Sequence, residues 1–246
     1  MSVLERHLAF FRPHHQELRD RLIRCFAAIA LCSVGVYFFA EQIAYLFIEP
    51  LYRASPLVYR LVYTNLPEAF LAYIKLSLLL GLILSTPYLI YQGWRFVSPG
   101  LHANEKKIAV IVVFWAGLLF SAGAAFALFI VLPKLLAYFL SYAHESLEPL
   151  PKFGKYLSFV ARLMLTLGMA FQIPFLMVMA VKANLVETAY YRTKRYYFYA
   201  AIVILAFLLS AGDFMATGLL SLPLFLLYES GALLSRVFRK SGQPAA

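Results

Sequence analysis

FVSPGLHANEKK, residues Phe96 to Lys107, is a short charged turn held between two long apolar runs. At about 1.5 Å per helical residue, residues 69–94 before it and 108–132 after it can each cross a hydrocarbon layer about 30 Å thick. Pro99 and Gly100 stop the first helix and turn the chain, while Lys106 and Lys107 open the second and anchor it among headgroups. Glu105 is thereby placed at a membrane surface, where a carboxylate can receive a cation from outside the protein.

Composition agrees with that reading. With 63% hydrophobic and 14% charged residues among 246, and a mean hydropathy of +0.76, the chain has too little polar surface for a soluble domain. The fold class expected is an all-α polytopic membrane protein forming one membrane domain. Its six spans are read at about 24–48, 69–94, 108–132, 156–181, 196–211 and 214–234, between an N-terminal segment 1–22 and a tail 235–246. The first apolar run is too long for the core of a cleavable signal and stays in the membrane. The fifth and sixth spans read as short: TyrTyrPheTyr at 196–199 is an interfacial belt, Gly212-Asp213 is a tight turn, and such a pair thins the bilayer.

Charge sets orientation. The formal charge is +10, and fifteen Lys and Arg fall in the N-terminal segment with the adjoining Arg24, the turns at 95–107 and 182–195 and the tail, against five in the other connections. The positive-inside rule then puts both termini and the Glu105 turn in the cytoplasm. These basic residues sit at the ends of apolar runs and form no interleaved patch, which argues against nucleic acid.

The residues also exclude several chemistries. All five His lie outside the spans, only Asp20 and Asp213 are available for an aspartyl dyad, and no metal-ligand or phosphate-loop motif occurs. An enzyme is not expected, nor a cofactor or metal. Cys25 and Cys32 lie about 10 Å apart on one helix, beyond disulfide reach of each other.

Five stretches carry a family likeness: HHQELRDRL at 14–22, TNLPEAFLAYIK at 64–75, FVSPGLHANE at 96–105, LGMAFQIP at 167–174 and SLPLFLLYE at 221–229. In order and spacing they resemble the TatC subunit of the twin-arginine protein translocase, from about residue 14 to about 235. The resemblance implies a receptor and scaffold in the bacterial cytoplasmic (inner) membrane. It would bind paired-arginine signal peptides of folded cargo, recruit the single-span TatA and TatB subunits, form a homo-oligomer within the receptor complex and draw on the proton-motive force. Glu17 and Glu105 match the family's signal-peptide glutamates, with Arg19, Phe96 and Pro99 beside them; Pro50, Glu68 and Phe70 match structural positions on the external side. The chemistry suits the role, since a guanidinium stays charged and pairs bidentately with a carboxylate. Glu17 also has a plainer use, as a helix-surface partner for Arg21 at i+4.

Other residues are more ambiguous. Gln172, beside Pro174 in the fourth span, stands where many family members carry glutamate; an amide packs helices but carries no proton. With Arg162 it forms a candidate intramembrane polar groove. Asp213 reads as an N-cap of the sixth helix, and Ser210 and Thr217 occupy the family's partner-helix positions. Glu68 reads as a helix-start charge and Lys75 as a snorkelling cation. Arg162 and Glu229 each need a partner or water at their depth. The alternative function is a small-solute or ion transporter using Gln172, Arg162 and Glu229.

Overall fold

The computed structural model describes residues 3–54, 58, 60–97, 103–142, 149–182, 185–210 and 212–237, with side chains described from Glu17 onward except Trp94 and residues 96–111. These residues are almost wholly helical: α1 Val3–Phe38, α2 Ala40–Ala54, α3 Glu68–Val97, α4 Ala103–Phe126, a π-helical turn Ala127–Val131, and α5 Leu132–Leu140. They continue as α6 Phe153–Ala170, α7 Gln172–Lys182, α8 Thr188–Thr193, α9 Arg195–Leu209 and α10 Phe214–Val237. Among them, five stretches are long and apolar enough to cross a membrane: Glu17–Phe38, Glu68–Gly93, Val112–Leu140, Phe153–Lys182 and Phe214–Val237.

The breaks between helices have local causes. The run read as one span over 24–48 is divided at Phe39, where α1 ends and α2 begins. Helix α2 buries Ala40, Ala44, Phe47, Ile48 and Leu51 on one stripe and carries the Glu49–Arg53 ion pair on the other, the pattern of a surface-lying amphipathic helix. A hydropathy window sees its apolar content but not its sidedness, so such a helix merges with the span before it. The π turn precedes Pro133, in the first turn of α5, whose missing N–H interrupts the ladder. The break at Phe171 stands three residues before Pro174 and divides the fourth run into α6 and α7.

Helix α9, with 15 residues, spans only about 22 Å and falls short of a hydrocarbon layer about 30 Å thick. The sixth run is not short: α10 has 24 residues and reaches about 36 Å. The expectation fails there because the span read at 214–234 already amounts to about 31 Å of helix, and α10 continues to Val237.

Helix α6 stands at the centre, against α2, α3, α4, α7 and the π turn. Its Leu157, Val160, Leu163 and Leu167 are at most 2% exposed. Small residues let neighbouring backbones close in, as they do wherever helices associate without a hydrophobic drive between them. A Cβ added at Gly123 of α4 would lie 2.7 Å from the Leu167 carbonyl oxygen and 2.9 Å from the Cα of Gly168. One added at Gly81 of α3 would meet Ser33 of α1, and one at Gly231 of α10 would lie 2.8 Å from the Cα of Pro174. Outward-facing Phe38, Phe129, Leu208 and Leu226 remain exposed, as a lipid-facing surface requires.

The connections at one end, here the far end, are laced together. Val62 N–H donates to the Pro151 carbonyl (3.2 Å) and Phe153 N–H to the Val62 carbonyl (2.9 Å). Tyr156 Oη, buried, donates to the Phe47 carbonyl at 2.7 Å, fixing α2 to the start of α6. At the turn into α10, Gly212 takes a φ of +89°, and Asp213 Oδ1 accepts the Ala216 N–H at 2.7 Å, the N-cap its position implied.

Gly123→Val therefore forces α4 and α6 apart, with an expected loss of about 1–3 kcal/mol, the usual size of core overpacking. Thermal unfolding in detergent should drop clearly for Gly123→Val and barely move for Gly35→Ala, since nothing lies within 4 Å of a Cβ there.

Candidate functional site

The near end of the bundle carries the two acidic motifs. Helices α1 and α3 meet where Gly81 lies on Ser33, and they run oppositely because α1 ends, and α3 begins, at the far end. At about 1.5 Å per residue, Glu17 lies about 24 Å along α1 from that contact and Val97 about 24 Å along α3 from it. Glu17 and the entry to the loop before α4 are thus at one level. Position 105 falls in the first turn of α4, where the helix N-terminus favours negative charge. The side chains of Glu105 and Phe96, and Pro99 altogether, lie outside the described residues.

Glu17 already holds a guanidinium. Arg21 donates to its Oε1 from both Nε (3.1 Å) and Nη2, and the Arg21 side chain is only 13% exposed. Arg19 lies exposed beside Asp20, at 3.5 Å.

A second polar cluster at the near end was not legible beforehand. Glu229 of α10 accepts from Arg195 Nη2 at 2.7 Å and from Tyr199 Oη, both on α9. Below it, Tyr228 Oη donates to the Tyr191 carbonyl at 2.6 Å and stacks on Phe198 with ring centroids 5.0 Å apart. Burial pushes the Tyr191 phenol above its usual range, so it stays a donor, here to the Met177 carbonyl at 3.5 Å. Glu229 was expected to need a partner; nothing in local spacing named one thirty-four residues away.

The intramembrane candidates separate. Gln172 Nε2 donates to the Ala116 carbonyl at 2.8 Å, tying the start of α7 to α4, and Pro174 is buried against α10 at Gly231. Arg162 lies elsewhere, on a far-end cavity of ≈ 1120 Å³ between α3, α6 and α9 that Gln172 does not line. Lys75, Lys155 and Glu68 also line it. Glu68 caps the start of α3, accepting from Thr64 N–H (2.8 Å), Thr64 Oγ1 (3.1 Å) and Asn65 N–H (3.4 Å). Phe70 is exposed two positions on, and Pro50 is half-buried within α2.

At the α9–α10 turn the hydroxyls of Ser210 and Thr217 are 2.7 Å apart and buried, and Thr217 Oγ1 donates to the Asp213 carbonyl at 2.5 Å. Tyr138 Oη donates to Asp213 Oδ2 at 3.3 Å, which ties the hairpin to α5.

The family model described as Sec-independent protein translocase protein (TatC) matches residues 13–223. The chain is 35% identical over 230 residues to the Sec-independent protein translocase protein TatC of Desulforapulum autotrophicum, covering 94% of this chain and 85% of that one. It is 31% identical to the TatC of Escherichia coli K12, covering 94% and 89%. Among solved structures, a crystal structure of the twin arginine translocase receptor TatC superposes with a TM-score of 0.82 at 31% identity, over 92% of this chain and 99% of that one.

The Arg195–Glu229 bond lies between an exposed ion pair, about 0–1 kcal/mol, and a desolvated charged bond, about 1.5–3 kcal/mol. A double-mutant cycle of Arg195→Gln and Glu229→Gln, read by thermal unfolding, should give a coupling near 1 kcal/mol; strictly additive losses would leave the pair without a stabilising role.

Proposed function

The chain belongs to the TatC family of Sec-independent protein translocase proteins, and from that premise we propose that it is the translocase's receptor for paired-arginine signal peptides. The single membrane domain has six spans, α9 being the short one, with both termini cytoplasmic in a bacterial inner membrane. The near end is then the cytoplasmic end.

Glu17 and Glu105 are the ligands for the incoming arginines, with Arg19, Phe96 and Pro99 around them. The observation that carries this is the match of the TatC family model over residues 13–223, which spans both carboxylates. The Arg21 guanidinium seated on Glu17 is the plainer i+4 partner, and an incoming guanidinium shares the carboxylate with it or displaces it. The level shared by Glu17 and the loop before α4 supports a single peptide spanning both.

TatB and TatA dock along α9 and the α9–α10 turn, around Ser210, Asp213 and Thr217. Because those hydroxyls satisfy each other and the backbone within the chain, their part is to shape the turn and exchange partners when a polar residue of a neighbouring helix arrives. Glutamine at position 172 carries no proton, and its bond to the Ala116 carbonyl supports a packing role beside Pro174. Coupling to the proton-motive force therefore lies with other groups of the assembled homo-oligomeric complex. Pro50, Glu68 and Phe70 shape the external face.

Crosslinking of a twin-arginine peptide tests the assignment. Loss of one charge-assisted bond, about 1.5–3 kcal/mol, weakens binding by about tenfold to a hundredfold, so Glu17→Ala and Glu105→Ala should each lower crosslinking strongly and together abolish it. Undiminished capture by the double variant would remove both residues from the site.

A further inference from the structure

The far-end cavity holds three cations with no counter-charge of their own. Among the described residues, Lys75, Lys155 and Arg162 make no hydrogen bond or ion pair, and all three are exposed. The carboxylate that shares the cavity, Glu68, accepts from Thr64 and the Asn65 N–H and offsets a single charge of the three. Positive charge therefore prevails in the hollow.

Depth makes this informative. Lys75 lies about 10 Å along α3 from Glu68, and Arg162 about 14 Å along α6 from Phe153. Both belong to membrane-crossing stretches. A cation at such a level is costly without a partner, and its flexible stem can lift it only part of the way to water. The third wall of the cavity is aliphatic, formed by Leu205, Leu208 and Leu209 at the far end of α9, and Leu208 is 72% exposed. Helix α9 stops there because it has only 15 residues. A hydrophobic segment too short for the bilayer draws the headgroup layer inward around it. Headgroup phosphates are thus brought down to the level of the unpaired Lys75 and Arg162.

We propose that the cavity between α3, α6 and α9 is a seat for an anionic phospholipid, its phosphate held by Lys75, Arg162 and Lys155 and an acyl chain laid along Leu205, Leu208 and Leu209. The occupant is a lipid and not free phosphate because one wall is a bare leucine ridge, which an inorganic ion leaves uncovered. The site stands apart from the near-end carboxylates and does not depend on the receptor reading.

Native mass spectrometry of the full chain in a neutral detergent tests it, with phosphatidylglycerol, phosphatidylcholine and inorganic phosphate as separate probes. Phosphatidylglycerol should be retained well above phosphatidylcholine, and raising salt should weaken the former and not the latter. Lys75→Gln and Arg162→Gln should each weaken phosphatidylglycerol by about tenfold or more, while Lys75→Arg with Arg162→Lys stays near the parent. The lipid-free unfolding temperature of each variant separates lost binding from lost fold, and the salt series on the unaltered chain holds even where a variant does not fold. Equal retention of the two lipids, full displacement by inorganic phosphate, or unchanged binding in both Gln variants would each overturn the proposal. So would a photoreactive residue at position 208 that captures no phospholipid in native membranes.

Discussion

Backbone contact between α4 and α6 is what the other helices are arranged around. In hydrocarbon no water drives helices together, so association rests on how closely their surfaces fit. Gly123 over the Leu167 carbonyl and Gly168 brings these two to contact distance. With α6 fixed, its buried leucines and Val160 receive α3 on one side and the π turn on another. The same device recurs at Ser33 with Gly81 and at Pro174 with Gly231, so three glycines set three interhelical distances.

A second constraint decides where the helices are allowed to break. Non-helical backbone at membrane depth is tolerated only where protein covers it. The π turn buries Ala127, Leu128 and Val131, and the Phe171 break is followed at once by the Gln172 bond to the Ala116 carbonyl. The π turn thus sets one side against the central helix while Phe129 and Ile130 face outward, and the Phe171 break ends the central helix itself. Polar side chains follow the same rule: Ser33, Ser77, Ser121 and Ser158 each donate to a carbonyl four residues back.

Much of the architecture could be read from residues alone, because span length and turn chemistry are local signals. The short α9, the Asp213 cap and the Glu17–Arg21 pair at i+4 all follow from spacing within one element. What escaped depended on contacts between distant segments. The Glu229 partners are on another helix, and the far-end cavity gathers Lys75 and Arg162 from two different spans. Helix α2 is an intermediate case. Its buried positions 40, 44, 47, 48 and 51 repeat with helical period, so sidedness was written in the sequence, and hydropathy averaging concealed it. Family likeness is the source of the roles proposed for Glu17 and Glu105, which no spacing on its own distinguishes from ordinary surface carboxylates.

Helix α9 leans chiefly on α10, through Arg195, Tyr199 and Glu229 at one end and the Ser210–Thr217 pair at the other. It is riveted at both tips and bare along its outer flank, where Val203, Ile204 and Leu208 look away from the bundle. A neighbour laid on that flank therefore meets α9 first and reaches the central helix chiefly through α10 and α7.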